Sequence, residues 1–261
     1  MNNGWRRRMP LPLLLLLLLS LAIAAATAGC GQDKTLKVGM ESDFRPFTYT
    51  EGGVNKGFEV ELWDAIAQKG GIRYELVPME SRELVPALKA GKVDLVIAGM
   101  TVNKARKDEL AFSDPYFQTG LVMATAIHNN DIRGKEDLAG KTVATKLDTT
   151  AYTFAGRLPK LKGVSGYPDI NQAYDDLIAG RADCVIFDER GVHEYVQNAG
   201  KGKVKIVGEV LNKESYAIAA KKRNVHIGKV NSAIEQIAGN GTYDSLYIKW
   251  FGSKPQKLPG Q

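Results

Sequence analysis

The sequence predicts an α/β protein with two similar halves, and three observations carry that expectation. Short apolar runs alternate with amphipathic stretches along the chain, which fits neither an all-α nor an all-β layering. A helix–strand junction also recurs: Leu88-Lys-Ala-Gly91-Lys-Val-Asp94-Leu-Val96-Ile97 returns 89 residues later as Leu177-Ile-Ala-Gly180-Arg-Ala-Asp183-Cys-Val185-Ile186. Each copy reads as a helix end, a glycine C-cap and a buried strand. Two copies indicate paired lobes, because a solenoid needs more repeats than that. Composition agrees: 44% hydrophobic and 25% charged residues over 261 positions are globular values that exclude disordered and collagen-like chains. The length suits one large domain or two of about 100–150 residues.

The chain opens on Arg6–Arg8 and an uncharged run from Met9 to Gly29, packed with leucine between Leu13 and Leu21 and ending in small residues before Cys30. A positive start, an apolar centre and a small-residue end describe a secretory signal over residues 1–29. A transmembrane helix is the competing reading, since about 20 apolar residues can span a bilayer; the small-residue tail and the immediate cysteine fit cleavage better. Thr27-Ala28-Gly29-Cys30 is similar to a bacterial lipobox without its usual leucine, which makes Cys30 a lipidation candidate, whereas Ala26-Thr27-Ala28 fits an ordinary signal peptidase. Both readings place the body outside the cytoplasmic membrane.

In the body, strands are expected at Leu36–Met40, Arg73–Pro78, Asp94–Ala98, Leu121–Ala124, Thr142–Lys146, Asp183–Phe187, Val204–Val207 and Tyr216–Ala220. Helical spacing links Phe58, Leu62, Ala65 and Ile66, and again Ile170, Tyr174, Leu177 and Ile178. Two more helices, 225–238 and 242–250, close the chain, and a short one is expected over 103–110.

Charge excludes more than it suggests. The formal net charge is +6, three of those charges are Arg6–Arg8, and the +3 left on the body is too diffuse for a nucleic-acid stripe. Gly134 and Gly140-Lys141-Thr142 have the wrong spacing for a phosphate loop and precede a strand instead of following one. His128, His193 and His226 are scattered and the two cysteines are distant, so no metal or cofactor is expected. Cys184, in the run Cys184-Val-Ile-Phe187, reads as an inert buried thiol. No catalytic triad or nucleophile elbow appears, so catalysis has no motif.

Binding has one. Open α/β sheets take ligands beyond the carboxyl ends of their strands. Those positions hold Glu41 and Gly99-Met-Thr101 in one half, and Lys146 and Asp188 in the other, polar groups suited to a small zwitterion. Arg106, five residues after Thr101, has the chemistry of a bidentate carboxylate clamp, although in the Lys104/Arg106/Lys107 cluster the residues alone favour a solvated side chain.

These segments resemble the type 3 extracellular solute-binding proteins, the polar amino-acid receptors of ABC importers, and most closely the glutamine-binding members. The supporting runs are Gly57-Phe-Glu-Val-Glu-Leu-Trp63, Val93-Asp-Leu-Val-Ile-Ala-Gly-Met-Thr101, Ala111-Phe-Ser-Asp-Pro-Tyr116, Asp137-Leu-Ala-Gly-Lys-Thr-Val-Ala144, and Asn240-Gly-Thr-Tyr243 through Lys249-Trp-Phe-Gly252. The resemblance implies a periplasmic-binding-protein type II fold: two α/β lobes joined by two hinge strands around a central ligand cleft. The first lobe would comprise 36–117 and 217–261, the second 118–216, with 30–35 as a linker and crossings near Tyr116–Gly120 and Asn212–Tyr216. It implies that Arg106 clamps the ligand α-carboxylate, assisted by Thr101 and the Thr149-Thr150 turn. Asp188 and the Gly99 carbonyl would take the α-ammonium, Phe44 would wall the aliphatic part, and Glu41 and Lys146 would meet a glutamine carboxamide. It further implies a monomeric receptor working with an ABC permease, without nucleic acid, in the periplasm or at the outer face of the cytoplasmic membrane. The rival from another class is a dehydratase-like enzyme on the same fold, which needs a general acid over its substrate. Glu41 is the one obvious carboxylate for that besides the ammonium partner, so the binding receptor is favoured over the enzyme. Departures bear on the side-chain end: Ser81 stands where a second aromatic wall is usual, Phe187 replaces a histidine, and Glu41 is longer than the usual Asp.

Overall fold

The computed structural model describes residues 34–257 and Pro259. The expected leader, Cys30 and its lipidation lie outside the described residues.

Two five-stranded sheets of the same topology organise the chain. The first has the order β5 (Tyr74–Met79), β1 (Leu36–Glu41), β6 (Leu95–Val96), β13 (Ala219–Lys221), β7 (Leu110–Phe112). The second has the order β10 (Gly163–Tyr167), β9 (Thr142–Lys146), β11 (Cys184–Asp188), β8 (Phe117–Ala126), β12 (Val204–Tyr216). In each, the first three strands are parallel, and the fourth and fifth follow by antiparallel pairings. A small antiparallel sheet, β2 (Asp43–Phe44), β3 (Thr48–Glu51) and β4 (Val54–Lys56), follows β1.

The sequence echo is a structural repeat with a chemical cause. Gly91 (φ +74°) and Gly180 (φ +72°) both turn the chain in the left-handed region that favours glycine. Three residues later, the Asp94 carboxylate accepts from the Lys37 N–H at 2.9 Å, while the Asp94 N–H donates to the Lys37 carbonyl at 2.7 Å. Asp183 repeats this pair of bonds with Thr142, at 2.8 and 2.9 Å. An aspartate at that position satisfies a backbone N–H at the start of β1 and of β9, pinning β6 and β11 beside them.

Helices cover the sheets with the expected faces. α1 (Phe58–Gly70) buries Phe58, Leu62, Trp63 and Ile66 against α7 (Ile227–Gly239) and α8 (Thr242–Phe251), and stops at Gly71 in the left-handed conformation. α2 (Ser81–Ala90) lies over β1, β6 and β13 with its own core of Leu84, Leu88, Val93 and Met100. α3 is Lys104–Glu109, α4 is Thr150–Ala155, α5 is Ile170–Ile178 and α6 is Glu189–Gln197; α4, α5 and α6 pack on the second sheet. Each fully buried Leu or Phe contributes about 1.5–3 kcal/mol.

Two expectations change. The strand at Val204–Val207 continues to Tyr216 through a register shift between Val207 and Asn212. Tyr216 therefore ends β12, and the expected strand Tyr216–Ala220 is divided, β13 starting at Ala219. Residues 208–213 are mostly exposed at a sheet edge, so no apolar run marked them. Second, the sequence pattern marks neither β10 nor α6: β10 contains two glycines, and α6 is polar along most of its length and buries only Val192.

The two expected hinge segments pair with each other, from Tyr216↔Phe117 to Asn212↔Leu121. Gly120 makes this approach feasible: a Cβ there would lie 2.3 Å from Val210 Cγ1 and 2.5 Å from the Asn212 carbonyl. Beside the ladder, Phe47 meets Phe117 and Tyr216 edge-on at 5.0 and 5.3 Å, an aromatic seam that carries one core through both sheets.

Candidate functional site

The carboxyl ends of β1, β6, β9 and β11 converge where the two sheets face each other. β1 ends on Glu41 and β9 on Lys146, and the Lys146 ammonium donates to Glu41 Oε1 although the residues are 105 positions apart. Both are buried, at 6% and 5% exposure, so the pair is shielded from water rather than a surface contact. Burial pushes the Glu41 carboxyl upward, while Lys146 and the Ser81 hydroxyl oppose that shift.

Phe44 stacks on Phe47 at 5.0 Å and meets Phe187 edge-on at 6.0 Å. Its ring lies over Gly99, where a Cβ would come within 2.3 Å of Phe44 Cε1, and Gly99 has φ +55°. Glycine is required there both by the ring and by the backbone. The Gly99 N–H donates to both oxygens of Glu59, at 2.9 and 3.1 Å, and the Tyr116 hydroxyl donates to the same carboxyl. Glu59 projects from the first turn of α1 and is fully buried; desolvation pushes it up to about 8 despite those donors.

Asp188 ends β11 and accepts from the Tyr216 hydroxyl. Burial raises it to about 7, the neighbouring Glu214 pushing in the same direction and Arg106 opposing. The Arg106 backbone N–H is capped by Asn103 Oδ1 at 2.9 Å. Its guanidinium donates from Nη1 to the Thr101 carbonyl at 3.0 Å and from Nη2 to the Asp148 carbonyl at 3.4 Å, thereby linking the two halves. Burial lowers the Arg106 pKa, with Asp188 and Glu214 holding it up.

The threonines behave differently from one another. Thr149 caps α4, accepting from the Tyr152 N–H at 3.1 Å and donating to the Lys146 carbonyl at 2.7 Å. Thr101 and Thr150 instead both donate their hydroxyls to Glu214 Oε2, at 3.2 and 2.8 Å. A hydroxyl has one proton, so each presents only lone pairs elsewhere.

Two cavities meet at Arg106. One of about 520 Å³ is lined by Thr101, Arg106, Asp148, Thr150, Arg157 and Glu214 among others. The other, of about 390 Å³, is lined by Ser81, Leu84, Met100, Arg106 and Thr149 among others. Neither reaches Glu41, Lys146 or Asp188, which are closed against their own partners. The short Ser81 side chain lines the second cavity on the side where the family resemblance calls for an aromatic wall.

All nine residues expected from sequence thus lie around the facing strand ends. Sequence reasoning missed Glu214, Tyr216, Glu59 and Tyr116. Tyr116, Glu214 and Tyr216 all fall within the expected hinge crossings, a usable signal; Glu59 falls in the run Gly57–Trp63 that carries the family resemblance. Among the described residues, no group of three or more His, Cys, Asp or Glu side chains is placed to hold a metal ion. Cys184 is buried and free, and desolvation pushes its thiol up to about 12.

Raised carboxyls carry a stability consequence. A folded state that holds protons on Glu59 to about 8 and on Asp188 to about 7 is favoured at low pH, and that advantage is lost as pH rises through those values. The melting temperature should therefore fall between pH 5.5 and 8.5, each group contributing a slope of up to about 1.4 kcal/mol per pH unit. Glu59→Gln should flatten the fall. A melting temperature that rises over this range in both proteins would contradict the assignment.

Residues 36–253 match the family described as bacterial extracellular solute-binding proteins, family 3. An L-arginine-binding protein of Pseudomonas aeruginosa is 32% identical over 232 residues, covering 84% of this chain and 88% of its own. Among solved structures, the GluR0 ligand-binding core from Nostoc punctiforme in complex with L-glutamate is 38% identical with a TM-score of 0.76, covering 83% of this chain and 99% of its own. An ancestral arginine-binding protein bound to glutamine is 39% identical with a TM-score of 0.79, covering 84% and 98%.

Proposed function

The chain belongs to the bacterial extracellular solute-binding proteins, family 3, and on that premise we propose that it is the amino-acid receptor of an ABC importer, with glutamine as its ligand. Members of this family bind solutes and are not enzymes, so the chemistry required is recognition and lobe closure. In this reading residues 36–117 and 217–261 form one jaw and 118–216 the other, and the receptor is a monomer tethered outside the membrane through a lipid on Cys30. Arg106 takes the α-carboxylate, Asp188 and the Gly99 carbonyl take the α-ammonium, and Phe44 covers the aliphatic stem.

The observation that supports glutamine is the Glu41–Lys146 pair. An acid and a base side by side at the side-chain end match a carboxamide, whose NH2 donates and whose carbonyl accepts. A cationic side chain would meet Lys146 and an anionic one Glu41, so either would face a like charge in a buried place. Glutamate and asparagine are the nearest rivals, since the first differs by one atom at the amide and the second by one methylene. The ancestral arginine-binding protein that holds glutamine is consistent with a pocket of this family accepting the neutral amide.

Calorimetric titration of the leader-free body with glutamine, glutamate, asparagine, arginine, histidine and cystine tests the reading. Glutamine should bind with micromolar or better affinity, about −8 kcal/mol, and at least about tenfold ahead of the others. Tighter binding of arginine would overturn the ligand while leaving the receptor; no binding of any amino acid below about 1 mM would overturn both.

A further inference from the structure

Glu214 lies on the hinge strand β12 at 8% exposure, and its hydrogen bonds reach into both halves of the molecule. Oε2 accepts from Thr101, in the loop after β6 of the first sheet, and from Thr150, the first residue of α4 on the second. Oε1 accepts from Asn212 Nδ2 at 3.0 Å. One carboxylate oxygen thus holds two hydroxyls that belong to opposite jaws, and it can hold both only while the jaws are together.

The bonds also set a direction. With their protons committed to Glu214, the Thr101 and Thr150 oxygens can only accept from the cleft. They are therefore unsuited to an α-carboxylate and suited to an α-ammonium, which donates three N–H bonds. This changes the role expected for the Thr101 and Thr150 hydroxyls, which the family resemblance placed with the carboxylate; Arg106 and backbone N–H groups are left for that end. The negative field of Glu214 points the same way, since it acts on both Asp188 and Arg106.

We infer that Glu214 is a positioning residue that latches the two lobes together and turns the Thr101 and Thr150 hydroxyls into acceptors for the ligand α-ammonium. The inference rests on the amino-acid receptor reading. It assigns Glu214 no direct contact with the ligand: its action passes through the threonines. Glu214→Gln is the informative change. A glutamine amide keeps the size but offers one acceptor atom where the carboxylate offers two, and its NH2 can donate to a threonine oxygen, releasing that hydroxyl proton toward the cleft.

The test compares two ligand pairs on wild type and Glu214→Gln: L-glutamine with 2-hydroxyglutaramate, and L-arginine with its 2-hydroxy acid. Each hydroxy acid replaces the α-ammonium by a single O–H donor and leaves the rest intact. For whichever amino acid the wild type binds, Glu214→Gln should weaken it about tenfold while changing its hydroxy acid by less than about twofold. Glu214→Asp, which keeps the charge and both oxygens, should recover part of the loss. Small-angle scattering of the ligand-free proteins should show a larger radius of gyration for Glu214→Ala than for wild type. A merely structural defect would weaken amino acid and hydroxy acid alike, and that result, or unchanged affinities, overturns the inference for Glu214 alone. A wild type that binds no amino acid overturns the receptor reading and this inference with it.

Discussion

Arg106→Ala is expected to abolish amino-acid binding, weakening every ligand by at least about 100-fold, or about 3 kcal/mol. The guanidinium reaches from α3 to the turn after β9, and two of its five N–H donors are committed to the Thr101 and Asp148 carbonyls. Those two bonds fix the plane of the fork and leave the other donors for an incoming carboxylate, so the group is oriented before the ligand arrives. Burial makes its charge costly, and Asp188 and Glu214 hold it charged. Alanine removes the fork, opens the two flanking cavities into one another, and leaves a ligand carboxylate without its oriented pair of donors. Arg106→Lys keeps the charge but not the two-pronged geometry, so it should retain part of the affinity. Titration calorimetry measures the loss, and a melting temperature near that of wild type separates it from misfolding. A dissociation constant for Arg106→Ala within threefold of wild type would sink the site assignment.

Lys146→Ala should have the second large effect, and it should alter preference more than affinity. The Glu41 carboxyl would keep its burial and lose its ion-pair partner, a situation that costs about 3–5 kcal/mol when a buried pair is broken. Three outlets exist: Glu41 takes up a proton, the jaws part to let water in, or a cationic ligand supplies the missing charge. The first two should appear in the ligand-free protein as a shallower melt and a larger radius of gyration. The third should appear as a gain for arginine relative to glutamine of at least about 30-fold. Competition titrations of the two amino acids measure the ratio directly. The doubly substituted Glu41→Leu/Lys146→Met protein, with neither charge of the pair left to satisfy, should close without ligand and discriminate poorly. An unchanged arginine-to-glutamine ratio in Lys146→Ala would remove the pair from the ligand pocket.

Much of the framework was legible because it depends on local periodicity. The apolar runs of β1 and β9 and the 3.6-residue faces of α1 and α5 are properties of short windows. The repeated Gly–x–x–Asp junction was legible too, and its meaning proved stronger than similarity alone: in both copies the aspartate makes the same two bonds, to the start of β1 and of β9. Less legible were β10 with its two glycines, the largely polar helix α6, and the exposed extension of β12. The candidate site was half legible. A rule about strand ends pointed to Glu41, Gly99, Thr101, Lys146 and Asp188, whereas Arg106, Phe44 and the Thr149-Thr150 turn drew their roles from the family resemblance.

The sequence by itself determined which residues end the strands and that the two halves share one plan. Only the tertiary structure decided which of those residues meet. Glu41 finds Lys146 across 105 positions, Thr101 and Thr150 find one oxygen of Glu214, and Gly99 finds Glu59 beneath it. The physical reason is that a hydrogen bond or a buried ion pair depends on separations of about 3 Å. Two sheets that lie far apart along the chain acquire such separations only when their facing ends close together.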